Sequence, residues 1–179
     1  KADPSMGGRI EGMQTPGGTG SLRLALAMVK RAGYNRIIVG VPSWPNHAQI
    51  CADLGLEVVE FNHALASGTT DMDALRGAIA NAQEGDATLL HGCCHNPTGI
   101  DYTNAEWDEI AGLLAASTIL PILDLAYQGL GQGMDEDPSG LRPVLAAVPE
   151  APLCHSCAQH FRPYRDRPAA LFARVAPPA

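Results

Sequence analysis

The sequence predicts an α/β fold, a three-layer α/β/α arrangement with a mostly parallel sheet, and three observations carry that prediction. Short apolar, mostly β-branched runs alternate with amphipathic stretches along the chain, the pattern of strands joined by crossover helices. Two hydroxyl-x-x-acid signals stand where such helices would begin. Polar or glycine-rich segments follow the strand-like runs, at the sheet edge where parallel α/β folds bind ligands. With 179 residues, 46% of them hydrophobic, the chain can bury one sizeable core, and a single domain is expected.

The elements follow in order. Residues 1–13 are glycine-rich and polar, an edge or loop. Gln14-Thr-Pro-Gly-Gly-Thr-Gly-Ser21 then runs into an apolar helix over residues 22–29. Strands are expected at residues 36–41, 57–61, 87–91, 119–125, 152–157 and 170–175. Thr70-Asp-Met-Asp73 and Thr103-Asn-Ala-Glu106 each open a helix with a capping hydroxyl. In the second helix Trp107, Ile110 and Leu114 fall at helical spacing, which places Trp107 in the core. Residues 14–157 form the expected core region. Residues 158–179, where Arg162, Arg165, Arg167 and Arg174 mix with Pro163, Pro168, Pro177 and Pro178, read as a degenerate C-terminal segment with a poorly structured end. Both ends read as cut from a longer chain.

Composition narrows the function classes. A net charge of -7 without a basic stripe argues against nucleic acid, whose phosphates require clustered Lys and Arg. No apolar run approaches membrane-spanning length, and the first residues lack the apolar stretch of a signal peptide. A cytoplasmic protein is expected. Five cysteines, an odd number, fit reduced thiols better than a disulfide framework.

The glycine loop before the first helix lets backbone N–H groups and the helix dipole approach an anion, and Thr19 adds a hydroxyl. By itself this signal is weak, because such loops often only turn the chain. Pro42-Ser-Trp-Pro-Asn-His47, His91-Gly-Cys-Cys-His-Asn-Pro-Thr-Gly99 and Asp124-Leu-Ala-Tyr127 follow in order, each after a strand candidate. An indole stacks on a flat heterocycle, an amide and a phenol hydrogen-bond a phenolate oxygen, and a carboxylate keeps a pyridine nitrogen protonated. Taken singly, a loop Asp is usually solvated and a Trp usually buried. Four motifs in one order reverse that preference and together describe pyridoxal 5'-phosphate.

In these motifs the sequence resembles the fold-type I aminotransferases, most closely the aspartate and aromatic amino acid branch, over nearly the whole chain. The resemblance implies the large, cofactor-binding domain of such an enzyme. It implies that Gly18, Thr19, Ser156 and Arg167 contact the cofactor phosphate, Trp44 stacks on its ring, Asn96 and Tyr127 bond its 3'-oxygen, and Asp124 pairs with the pyridinium. His47 and His91 would support Asp124 from behind, and Asn96-Pro97 would carry the family's cis proline. It further implies a homodimer, an amino acid and a 2-oxo acid as substrates, and a full chain about twice this length whose small domain supplies the arginine for the substrate carboxylate.

One motif departs from the family. Where the catalytic lysine belongs, Ser156-Cys-Ala-Gln-His-Phe-Arg-Pro-Tyr164 has Gln159, and Ala158 lacks a hydroxyl. Arg162 and Pro163 replace small or apolar residues. A lysine amine can anchor the cofactor covalently and carry a proton during transamination, whereas a carboxamide does neither. Besides Lys1, Lys30 is the remaining lysine. It lies roughly 16 Å from Thr19 along one helix at 1.5 Å per residue. The expectation is therefore an aminotransferase-derived chain that binds pyridoxal phosphate at most noncovalently. A noncatalytic cofactor-binding remnant is the nearest alternative. A zinc module built from Cys93, Cys94, Cys154 and Cys157, with His91 and His95 nearby, is the more distant one. Against zinc, Cys154 and Cys157 would point to opposite faces of one strand, and neighbouring Cys93 and Cys94 would converge poorly.

Overall fold

The computed structural model describes residues 9–159 and 165–176. Among them are strands β1 (Ile10–Pro16), β2 (Arg36–Val41), β3 (Glu57–Asn62), β4 (Asp86–His91), β5 (Leu120–Leu125), β6 (Ala151–Ser156) and β7 (Pro168–Arg174). The helices are α1 (Gly17–Arg31), α2 (Pro45–Asp53), α3 (Met72–Ala80), α4 (Asn104–Ala115) and α5 (Leu141–Ala147). The strands form one sheet in the order β1-β7-β6-β5-β4-β2-β3. β3, β2, β4, β5 and β6 pair in parallel, and β7 runs antiparallel to both β6 and β1. β1 therefore points the same way as the parallel strands.

Alternation along the central strands divides the core between the two sheet faces. Ile38, Leu90 and Leu123 pack on one side with Leu75 of α3, Trp107 and Ile110 of α4 and Val144 of α5. Ile37, Val39, Leu89 and Ile122 pack on the other with Leu22 and Leu26 of α1 and Ile50 of α2. This is why the central runs read as continuously apolar: both of their faces are covered. Trp107 is in the core, as its spacing predicts. Gly140 is pressed against it, so a Cβ there would stand 2.1 Å from the indole Cδ1.

Several local expectations are corrected. Residues 10–13 belong to an edge strand rather than a loop, since β1 pairs along its whole length with β7. Its side chains are nearly all exposed, Thr15 excepted, so no apolar alternation marks it. α1 begins at Gly17, five residues before the first apolar residue of its buried stripe. α3 is capped by Asp71, whose carboxylate accepts from the Ala74 N–H. The hydroxyl of Thr70 donates to Glu106 instead, at 2.5 Å. The Thr103–Glu106 pair forms the full capping box of α4, as predicted. The strand expected at residues 170–175 is present as β7, starting two residues earlier and paired on both sides. Lys1, Arg162, Pro163, Pro177 and Pro178 lie outside the described residues.

Candidate active site

The six strands that share a direction end on one edge of the sheet, and the polar motifs leave the sheet there. β1 leads into the first turn of α1, Trp44 immediately precedes α2, Asn96 follows β4, and Asp124 is the penultimate residue of β5. Ser156 ends β6, and Arg167 stands just before the reversed strand β7. Gly18, Thr19, Trp44, Asn96, Asp124, Tyr127, Ser156 and Arg167 all line one cavity of about 660 Å³, mouth included, together with His91 and Gln159.

One end of this cavity gathers hydrogen-bond donors. α1 starts after Pro16 without a side-chain cap, which leaves the N–H groups of its first turn unsatisfied within the helix. Gly17 adopts φ +76°, and a Cβ there would lie 2.8 Å from Nε of Arg167. A Cβ on Gly18 would stand 3.2 Å from that of Ser156. The two glycines therefore bring the helix N-terminus against a guanidinium and a hydroxyl. The Ser156 hydroxyl donates to Oε1 of Gln159 at 2.7 Å, so the carboxamide is held at this end of the cavity.

The other end is organised around Asp124. Nδ2 of Asn96 donates to the Tyr127 hydroxyl at 3.3 Å, and the Asn96–Pro97 peptide is cis. The Asn96 backbone N–H donates to Nδ1 of His91 at 3.2 Å, which places the His91 proton on Nε2. That nitrogen faces Nδ1 of His47 at 3.4 Å, and the Ser43 hydroxyl stands 2.8 Å from the same Nδ1. With Nδ1 accepting, Nε2 of His47 carries its proton toward Oδ2 of Asp124, 3.2 Å away. A backbone amide thus fixes the tautomers of two imidazoles in sequence, and the last one delivers an N–H to the carboxylate. His47 is buried, whereas the Asp124 side chain retains 13% exposure toward the cavity.

The imidazoles continue inward beyond what the sequence suggests. His91 stacks on His95 with centroids 4.2 Å apart, and His95 stacks on His63 at 3.6 Å with rings only 7° from parallel. Nε2 of His63 donates to the Ile100 carbonyl at 2.7 Å, leaving Nδ1 to accept from the Tyr102 hydroxyl at 3.3 Å. Burial pushes the His91 pKa down to about 4, only partly opposed by Asp124. Burial likewise lowers His95 and His63, with neighbouring imidazoles adding to the effect on His95. The three rings are neutral at pH 7. His95 was visible as part of a motif, but His63 lies past another strand, and only the sheet order brings it to the stack.

The four cysteines of the zinc reading do not assemble. Cys93 packs on one face of the sheet and Cys154 on the other, while Cys157 falls just beyond β6. Cys93 and Cys94, expected to diverge, instead have their sulfurs within 4.8 Å of each other. The reason is the φ of +48° at Cys94, which breaks the alternation of an extended chain. Nor is Lys30 near the cavity. Its ammonium bonds Asn35 and the Gly55 carbonyl at the far end of α1.

The sequence pattern described as "Aminotransferase class I and II" matches residues 8–176. The chain belongs to the class I and II aminotransferases. It is 47% identical over 167 residues to the tyrosine aminotransferase of Rhizobium meliloti (strain 1021), a match covering 93% of this chain and 43% of that protein. It is 44% identical over 161 residues to the aspartate aminotransferase of Escherichia coli (strain K12), covering 89% and 41% respectively. Among solved structures, an aromatic amino acid aminotransferase with 3-indolebutyric acid superposes with a TM-score of 0.92 at 40% identity, over 97% of this chain and 44% of that one. The Burkholderia pseudomallei aromatic-amino-acid aminotransferase, covalently bound to pyridoxal phosphate, gives a TM-score of 0.93 at 29% identity, over 98% and 45%. The chain therefore spans less than half the length of these relatives. Among the described residues no helix is long and apolar enough to cross a membrane.

Proposed function

We propose that the cavity binds pyridoxal 5'-phosphate noncovalently and that the chain does not itself catalyse amino transfer. The observation that carries this reading is Gln159, which lines the cavity with its carboxamide on Ser156. The surrounding donor set fits the cofactor. The α1 N-terminus, Thr19, Ser156 and Arg167 offer N–H and O–H donors and one positive charge to a phosphate. Trp44 offers its indole to the ring, Asn96 and Tyr127 their polar groups to the 3'-oxygen, and Asp124 its carboxylate to the pyridine nitrogen. When bound, the cofactor supplies an aldehyde for amines and an electron sink for carbanions.

What the chain's own residues contribute is mainly orientation. The Asn96 N–H, His91 and His47 hold Asp124 as an acceptor facing the cavity. The carboxamide of Gln159 offers no basic nitrogen to form a covalent link or relay a proton, and losing a general base alone typically costs about 10² to 10⁴ in rate. We assign the family reaction, transfer of an amino group between an aspartate-like or aromatic amino acid and a 2-oxo acid, as the ancestral activity. The homodimer and the cytoplasmic location are part of the same proposal.

Reconstitution with pyridoxal phosphate, borohydride reduction and peptide mass mapping test the reading on wild type and Gln159→Lys. The expected result is saturable binding to both proteins, with covalent attachment only at residue 159 of the variant. Cofactor trapped on Lys30 of the wild-type protein, or no binding to either protein, refutes it.

A further inference from the structure

We propose that Cys93 and Cys94 form a chelating dithiol site for a trivalent arsenical. In an extended chain, consecutive side chains point to opposite sides, and adjacent thiols cannot then hold one atom. Here Cys94 has φ +48°, and both sulfurs come within 4.8 Å of each other. The turn is held firmly, because the backbone N–H groups of Cys94 and His95 both donate to the Asp101 carboxylate at 2.7 Å. A dithiol already paired in this way forfeits little conformational freedom on binding. Cys93 lines the open cavity, giving a small reagent a path, and Cys94 is half-buried.

The choice of ligand follows from what else is in reach. A carboxylate oxygen of Asp137 lies in the same cluster, but that carboxylate accepts from the N–H groups of Gly129, Gly131, Gln132 and Gly133. It is committed to its loop. Two sulfurs without further ligands fall short of the four that a structural zinc site needs. They suit a thiophilic centre that takes two sulfurs and keeps its own substituent. With methylarsine oxide, two S–H bonds and the bonds from arsenic to oxygen break, two As–S bonds form, and the oxygen leaves as water with both protons. Arsenic stays trivalent, so no oxidant or reductant is needed. Burial raises the pKa of both thiols, but the condensation consumes thiols and does not require a standing thiolate.

The test titrates the full chain with methylarsine oxide, followed by intact mass and a count of thiols in denaturant. One arsenic per chain and a fall from five free thiols to three is expected. Cys94→Ser should weaken binding at least about 100-fold, the range gained when a second contact becomes intramolecular. Cys93→Ser should do the same, and Cys157→Ser should leave binding unchanged. Circular dichroism verifies that each variant is folded. If Cys93→Ser fails to fold, Cys94→Ser together with a one-bond probe, dimethylarsinous acid, decides the matter. Retained tight binding in folded Cys94→Ser, equally tight binding of the one-bond probe, or no adduct with wild type overturns the proposal.

Discussion

Asp137 is expected to be among the most costly polar residues to remove, and the structure indicates by how much. Its buried carboxylate accepts from the N–H groups of Gly129 at 2.7 Å, Gly131 at 3.0 Å, Gln132 at 2.6 Å and Gly133 at 3.3 Å. In Asp137→Ala the exposed amides of Gly131 and Gln132 return to water, while those of Gly129 and Gly133 are half-buried. Two bonds to a charged acceptor, at about 1.5 kcal/mol each, give a loss of about 3 kcal/mol. Burial tends to raise the Asp137 pKa, but the four N–H donors outweigh it and the net direction is downward. A lowered folded pKa means stability that is present above the unfolded value of about 3.9 and disappears as pH falls through the folded one. Urea unfolding of wild type and Asp137→Ala at pH 7 and below pH 4 measures both effects, with the difference shrinking in acid. A change under about 0.5 kcal/mol at pH 7, the size of an ordinary surface substitution, would refute the reasoning.

Gly140→Ala should destabilise by at least about 2 kcal/mol, because its Cβ would stand 2.1 Å from Trp107; thermal unfolding monitored by tryptophan fluorescence reads this. Thr103→Ala should cost about 1 kcal/mol in chemical denaturation by removing the capping box of α4. His91, held down to about 4, remains neutral in the fold while the unfolded chain takes up protons below about pH 6.5, and burial lowers the His63 pKa in the same direction. Stability should therefore rise from pH 5 to pH 7, by up to about 1.4 kcal/mol per pH unit for each such ring, and replacing His63 by Phe should flatten that slope.

Much of this architecture was legible where one physical signal dominated. Residues 36–41 gave their strand without error because both faces are buried and the residues are mostly β-branched. The Thr103 box was readable because both partners lie within four residues. What escaped depended on contacts distant in sequence. β1 exists through its pairing with β7, and Thr70 lost its capping role because Glu106 of another helix takes its hydroxyl. The cavity residues were found through motif order, but the Gln159–Ser156 hydrogen bond and the inward stack of His95 on His63 required the fold.

The location of Gln159 explains how residue 159 can vary while the fold stays intact. Asp124 and Ser156 stand on strands within the paired sheet, and Thr19 on a helix packed against it. Changing their positions would disturb the core itself. Gln159 sits in the connection between β6 and β7, and that connection is closed below it by the pairing of Ser156 with Ala169 and by the Cys157 N–H on the Pro168 carbonyl at 2.9 Å. Gln159 is half-buried, lies outside the paired strands and bonds the neighbouring Ser156 hydroxyl, so a substitution there carries a small stability cost. Gln159→Lys should accordingly leave the unfolding midpoint nearly unchanged while altering cofactor attachment. A large stability change in that variant would show that residue 159 is coupled to the core after all.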